Sequence, residues 1–372
     1  MKISLDQGVL LRELNLIQGI IEKKATIPIL SNVLLTAQDD GRLALQATDL
    51  EVGFRSSVEA TVKKAGATAV HARRLHDIVR KLPPGTIQFR QEGNSLHLEC
   101  ERIRYRLATQ EVDQFPSFRT KEGGPTTLLV AEQLADMIRK VLFAVTSDDP
   151  RYTLGGALWE FSGDVVTMVA TDGHRLSLSR RTGQNVSKKE TPAIVVPRKA
   201  LSELAKLAAE HGGDVYLWIT PSALFAQFGE RELWTNLQEQ RFPDYRRVLP
   251  KGNDKVFEIG VTQFREAIER VSVLSLEHTH LVKFEVGSEM LRLSAVHQQL
   301  GEAQEDVSVE FKGEPMAIGF NAQYLLDFLS VAGAEKVRVK LGKEMGQGLF
   351  EPVREEGDNR EDTYIVMPMA LS

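Results

Sequence analysis

Cysteine is all but missing: the chain of 372 residues holds one, Cys100. No disulfide can form within it, and the reducing cytoplasm is its expected address. Zinc held by cysteine pairs is excluded as well. No GxxxxGKS/T or GxGxxG run occurs, so no phosphate-cradling loop and no cofactor are expected. No stretch approaches the ~18 apolar residues of a membrane span. The opening MKISLDQGVLLRELNL has no unbroken apolar core, because Asp6, Arg12 and Glu13 interrupt it. Neither a secretory leader nor a membrane partner is expected. An excess of positive charge is lacking too. The net charge of −5 argues against a surface that grips nucleic acid all over, though not against a local basic stripe.

What is present is a repeat. Ala47-Thr48-Asp49 returns as Ala170-Thr171-Asp172, and Phe115-Pro116 as Phe242-Pro243. VHARRL at Val70 is answered by VPRKAL at Val196 and FNAQYL at Phe320. The spacing is roughly 125 residues, a domain rather than a solenoid unit. Each unit opens with a short strand (Lys2–Leu5, Thr127–Val130, Val256–Ile259) running into an amphipathic helix. The helices carry Leu10, Leu14, Ile17 and Ile21; Leu134, Ile138, Val141 and Leu142; and Phe264, Ile268, Val271 and Leu274 on one face. Alternating strands, a second helix and further strands follow, so each unit reads β-α-β-β-β, then α and more strands. The expectation is an α+β fold in three tandem copies, helices on one face of mostly antiparallel sheets. The domains are expected at 1–120, 126–250 and 254–372, with linkers at Arg119–Pro125 and Pro250–Asp254.

The helices concentrate the positive charge. Arg73, Arg74, Arg80 and Lys81 surround the apolar Leu75, Ile78 and Val79, with Arg73 and Arg80 seven apart. Lys199 and Lys206 repeat that spacing beside Arg198, while Arg12, Lys23, Lys24, Arg139, Lys140, Arg265 and Arg270 sit on the first helices. Singly, each is an ordinary solvated helix face. Repeated at equivalent places, they add up to a track for phosphates that carries no sequence information.

Candidate chemistry is sparse. His278-Thr279-His280 has no third ligand at a useful spacing and reads as a polar loop. Thr171-Asp172-Gly173-His174-Arg175 admits a hydrolase reading, with His174 a base oriented by Asp172. No Ser or Cys nucleophile motif accompanies it, which favours a structural or ligand-contacting role.

VATDGHRL (Val169–Leu176), VVPRK (Val195–Lys199), RFPDYRRVLP (Arg241–Pro250), IGFN (Ile318–Asn321) and YIVMPM (Tyr364–Met369) occur in one order along the whole chain. In these words it resembles the beta subunit of bacterial DNA polymerase III, the sliding-clamp and processivity-factor family. The resemblance implies a head-to-tail homodimer closed as a ring around double-stranded DNA without sequence preference. The closure contact would use Tyr105 and Leu107 on an edge strand, and Val273 and Leu274 at the end of the third unit's first helix. A partner-peptide groove would be lined by Leu154, Thr171, Gly173, His174, Arg175, Leu176, Pro243, Arg247, Val248, Ile365, Val366, Met367, Pro368, Met369 and Leu371. It would recruit the replicative polymerase catalytic subunit, the clamp loader and repair polymerases through short motifs, with Met suited to varied ligands. DNA-facing positions would be Lys24, Arg73, Asp148, Tyr152 and Thr153. Arg80, Arg151, Arg198 and Lys199 join them on electrostatic grounds. Asp148 is an acid where an uncharged polar residue is expected, and Thr153 replaces a second aromatic. Ala370 stands where a basic residue is common. The resemblance implies no enzyme activity of the chain's own. A protein-binding scaffold that uses the groove without DNA is the competing reading.

Overall fold

The computed structural model describes residues 1–22, 26–146, 154–183, 185–186, 191–343 and 345–371. The first third runs β1 (Lys2–Asp6), α1 (Gln7–Ile20), β2 (Asn32–Ala37), β3 (Arg42–Thr48), β4 (Val52–Glu59), β5 (Thr61–Lys64), β6 (Gly66–His71), α2 (Ala72–Lys81), β7 (Thr86–Glu92), β8 (Ser95–Cys100) and β9 (Ile103–Gln110). The second runs β10 (Thr127–Val130), α3 (Ala131–Leu142), β11 (Gly156–Ser162), β12 (Val165–Thr171), β13 (Arg175–Arg181), β14 (Asn185–Val186), β15 (Ile194–Pro197), α4 (Arg198–Glu210), β16 (Asp214–Ile219), β17 (Ala223–Phe228) and β18 (Arg231–Asn236). The last runs β19 (Lys255–Gly260), α5 (Val261–Ser272), β20 (Leu281–Val286), β21 (Met290–His297), β22 (Gly301–Ser308), β23 (Met316–Asn321), α6 (Ala322–Val331), β24 (Lys336–Leu341), β25 (Gly348–Pro352) and β26 (Arg360–Val366). One order recurs three times, as the repeat requires: strand, helix, four or five strands, helix, three strands. The sequence reading undercounted the strands between the two helices, because short polar strands such as Thr61–Lys64 carry no apolar alternation.

Local signals explain the boundaries. Asp6 caps α1 by accepting from the Val9 N–H at 3.1 Å, and Leu10, Leu14 and Ile17 are buried beneath the helix. Asn321 caps α6 in the same way through the Tyr324 N–H. α2 stops at Lys81, just before Pro83-Pro84. The last third is centred on buried phenylalanines in edge-to-face contact: Phe264, Phe284, Phe320 and Phe350 follow at 5.7, 5.4 and 5.8 Å. Each fully buried ring contributes roughly 1.5–3 kcal/mol by area.

The chain divides into two compact units, Met1–Ala135 with Lys199–Leu237, and Asp136–Arg198 with Gln238–Ser372. In the first unit, β18 pairs with β4 (Leu233↔Phe54), so strands of two sequence repeats share one antiparallel sheet. In the second unit, β13 pairs with β26 (Leu176↔Ile365) to the same effect. The expected linker at Arg119–Pro125 is fastened to its sheet. Arg119 lies 5.1 Å from the Trp234 ring centroid, Lys121 lies 4.3 Å from that of Trp218, and the Trp218 indole N–H donates to the Gly123 carbonyl.

Candidate functional site

The Thr171–Arg175 turn joins β12 to β13 within the second unit. Gly173 takes φ +90, a conformation a side chain would strain. The Asp172 carboxylate accepts the backbone N–H groups of His174 and Arg175, each at 3.0 Å, and the Thr171 hydroxyl donates to the Arg175 carbonyl at 2.7 Å. These bonds fold a short polar sequence into a rigid corner. They also dispose of the hydrolase reading, because Asp172 is engaged by the backbone and by Arg175. The His174 ring stacks on Tyr324 at 6.5 Å instead. Among the described residues no group of three metal-ligating side chains forms.

Arg175 fixes that corner to two helices. Its guanidinium donates to Asp172 at 2.9 Å, to Asp327 on α6 at 2.5 Å and to the Phe143 carbonyl after α3 at 2.8 Å. It also lies 4.4 Å from the Tyr324 ring centroid. Burial works against the charge, but Tyr364, Asp327 and Asp172 outweigh it and raise the pKa further. With its side chain only 10% exposed, Arg175 braces the site and has little to offer the polar end of a ligand.

Opposite lies the 243–248 segment. The Tyr245 hydroxyl donates to Glu160 at 2.8 Å, and burial together with that bond pushes it up to about 12. Arg246 holds both Glu160 oxygens at 2.9 Å. Between turn and segment is an apolar hollow of about 170 Å³. Leu154, Leu176 and Ile365 are buried there, while Val248 and Met367 stand exposed at 41% and 42%. Ten of the expected groove residues line it: Leu154, Thr171, Gly173, His174, Arg175, Leu176, Pro243, Val248, Ile365 and Met367. Asp244 and Tyr245 also line it and were not foreseen, although they fall inside the RFPDYRRVLP word. Nor was Tyr324, whose only sequence signal was its place on the second helix of the third repeat.

Five expected residues stand outside the hollow. Val366 alternates to the other face of β26 and is fully buried in the phenylalanine core, so its side chain is not part of the groove. Arg247 is 84% exposed and pairs with Asp244. Pro368, Met369 and Leu371 belong to the tail that continues from β26 past Gly319. The Met369 N–H donates to the Gly319 carbonyl at 2.8 Å. A Cβ on Gly319 would meet Leu281 at 2.7 Å, the Met369 oxygen at 2.9 Å and Leu371 at 3.0 Å.

The basic helix faces are less uniform than their spacing suggested. Arg73 and Arg80 on α2 are exposed, Arg80 lying 3.7 Å from Asp77. Lys206 is exposed beside Glu203. Lys199 instead donates to the Ile20 carbonyl at the end of α1 and to Asp49. Arg198 caps the Leu142 and Val145 carbonyls after α3. Lys140 corrects the expectation of a basic surface outright. It is buried, donates to the Val331 and Ala332 carbonyls after α6, and has its pKa lowered by burial. Arg265 is half-buried and faces Glu269, while the exposed Arg270 faces Glu266 and Glu305. Lys23, Lys24, Asp148, Arg151, Tyr152 and Thr153 lie outside the described residues, as does Ser372.

Tyr105 and Leu107 lie on β9, which pairs with β8 along Ile103–Ala108 but with β6 only at Thr109 and Gln110. The Ile103–Ala108 stretch therefore has one unpaired edge among the described residues, with Tyr105 37% exposed. Val273, just past α5, is 77% exposed, while Leu274 is half-buried.

Comparison with known proteins places this geometry. Models described as the N-terminal, central and C-terminal domains of the DNA polymerase III beta subunit match residues 1–119, 129–244 and 246–370. The chain is 35% identical to the beta sliding clamp of Pseudomonas aeruginosa and 33% identical to that of Escherichia coli K12, over the full length of each. A solved P. aeruginosa DNA polymerase III subunit beta superposes with TM-score 0.92 at 34% identity, covering both chains completely. A sliding clamp of the same organism bound to griselimycin gives 0.93 at 35%, again with complete coverage of both.

Proposed function

The chain belongs to the DNA polymerase III beta-subunit family, the beta sliding clamps, and from that premise we infer that it encircles duplex DNA as a head-to-tail dimeric ring. It tethers the replicative polymerase and other DNA enzymes through the apolar groove and so confers processivity. It is a processivity subunit of three clamp domains, without a catalytic site of its own. We assign the domains to 1–120, 126–250 and 254–372.

The observation that carries the tethering role is the hollow of about 170 Å³, apolar in its floor and braced by Arg175. Its size suits two or three apolar side chains of a peptide rather than a whole small-molecule ligand. The replicative polymerase catalytic subunit, the clamp loader and repair polymerases are the partners we assign to it, through short motifs. His174 and the exposed Arg247 remain available for polar ends.

Ring closure is assigned to the open edge of β9, with Tyr105 and Leu107, against the region of Val273 and Leu274 in a second copy. Charge supports this pairing. β9 carries Arg104 and Arg106, while the edge strand β22 carries Glu302 and Asp306. For DNA, Arg73, Arg80 and Lys206 supply the exposed charge on the helices. Because a closed ring retains DNA by topology, weak phosphate contacts suffice, which reconciles DNA with a net charge of −5. Among the described residues no helix is long and apolar enough to cross a membrane, and the cytoplasm is the site of action we infer.

The deciding experiment loads the protein on closed circular DNA with a clamp loader and ATP, then linearises the circle. Retention on circles and release from linear DNA are expected. Equal loss from both refutes topological binding and leaves the DNA-free scaffold.

A further inference from the structure

Five antiparallel strands of the first unit, β5-β1-β7-β8-β9, turn Ile3, Leu5, Ile87, Phe89, Leu96 and Leu98 to the core. Their solvent face carries an unusual row. Lys64 lies opposite Lys2, Lys2 opposite Arg90, Arg90 opposite His97, and His97 opposite Arg106. Directly opposed residues share a face with Cβ atoms about 5 Å apart, and like charges so placed repel. Two successive like-charge pairings, Lys64–Lys2 and Lys2–Arg90, occur in a chain whose net charge is −5, and His97 carries the row on to Arg106. At one end the strain is compounded. The β5–β1 register slips between Lys2 and Ile3, which leaves Lys63 as an extra residue next to the Lys64–Lys2 pair. Such a bulge re-aims side chains and is a built feature, not a defect.

Neutralisation is uneven along the row. Glu92 pairs with Arg90 at 2.8 Å and lies 3.4 Å from His97, and Glu99 pairs with Arg104 at 3.2 Å. The Arg106 end adjoins β9, where the acidic β22 of a second copy would face it. No carboxylate pairs with Lys2, Lys63 or Lys64 among the described residues. The ring-closure contact therefore accounts for one end of the row and leaves the lysine end without a partner. Beside it a shallow basin of about 520 Å³ is lined by Lys2, Lys63, Arg90 and His97.

We propose that this sheet face docks an extended acidic segment of a partner protein, its carboxylates lying along the Lys63/Lys64–Lys2–Arg90 row. The Lys64–Lys2–Arg90 stretch crosses the strands at about 4.8 Å per step, so its length of roughly 10 Å takes about three extended residues. Two features favour a peptide over nucleic acid. Apart from His97, no ring side chain lies in the row or in the flanking Ser4–Gln88–Glu99–Arg104 row, and Tyr105 at the β9 side of the basin is assigned to ring closure, so bases find no stacking partner at the lysine end. The basic strip is also bounded by acids in its middle. Glu92 and Glu99 flank it within one step along the strands, which suits a narrow chain and repels a broad polyanion.

The test uses the full-length protein and its triple variant Lys2→Glu, Lys63→Glu, Lys64→Glu, with a neutral Lys→Gln triple as a second form. Probes are a fluorescent ten-residue Glu/Asp peptide and a single-stranded oligonucleotide of similar charge, followed by anisotropy at two salt concentrations. Expected is salt-sensitive peptide binding that falls at least about tenfold in both triples, with circular-DNA retention and groove-peptide binding unchanged. Peptide binding equal in wild type and variants, or none at millimolar peptide, overturns the proposal. So does an oligonucleotide that binds more tightly than the peptide and is lost in the same variants. Because retention and groove binding are read separately, failure here is distinguishable from failure of the clamp reading.

Discussion

Replacing Arg175 by methionine removes the charge while keeping most of the stem. Three acceptors lose their donor at once: Asp172, Asp327 and the Phe143 carbonyl. Breaking a buried ion pair from one side costs about 3–5 kcal/mol. The low end applies here, since Asp172 and Asp327 are 15% and 26% exposed. Each also keeps another donor, backbone N–H groups for Asp172 and the Gln323 amide for Asp327. The turn is therefore weakened by about 3 kcal/mol. If binding a ligand must restore half of that order, affinity falls by ~1.5 kcal/mol, about tenfold. Asp327→Asn keeps an acceptor and loses only the charge. The difference between charged and neutral bonds is about 1 kcal/mol, giving a loss below about fivefold. Calorimetric titration of a short Leu-rich peptide, with thermal melting alongside, reads both variants. An Arg175→Met protein that binds within twofold of wild type refutes the brace, as does Asp327→Asn exceeding Arg175→Met.

Gly319→Ala pushes a methyl into Leu281, the Met369 carbonyl and Leu371. It should displace the tail and weaken groove-peptide binding several-fold, with a mutant crystal structure showing Met369 moved. Lys199→Glu and Lys206→Glu should part company. The first breaks the contacts to Ile20 and Asp49 and lowers the melting temperature, while the second changes DNA loading with the melting temperature kept within a degree or two, roughly the surface-substitution range. Hydrogen bonds from Arg360 hold the Asp358 carboxyl at about 2, below its ordinary 3.8. A depressed carboxyl contributes stability above its unfolded value that is lost as pH falls through the folded one. Melting temperature should therefore drop between about pH 4 and 2, and Asp358→Asn should flatten that slope.

Much of this was legible in the sequence. Periodic apolar residues marked the helices, and the order of features gave three tandem units. The long shared words contain nine of the expected residues that line the hollow, and the resemblance they carry added Leu154. The failures have physical causes. Helical spacing says which face a residue occupies but not what a neighbouring element brings to it. Lys140 and Lys199 looked like surface charge, yet each meets carbonyls at the end of another helix. Val366 followed Ile365 in a shared word, and strand alternation sent it into the core. Arg175 read as a ligand contact because Asp327, more than a hundred residues later, left no local trace.

The pairing of β13 with β26 has a consequence for synthesis. β26 supplies Ile365 to the groove floor and Tyr364 to the core, and it leaves the ribosome long after β13. Until it arrives, β13 keeps an open edge and the hollow lacks its floor. A nascent chain interrupted before Arg360 could fold its early strands yet offer partners no socket. Recruitment would thus be withheld from unfinished molecules without any separate proofreading factor.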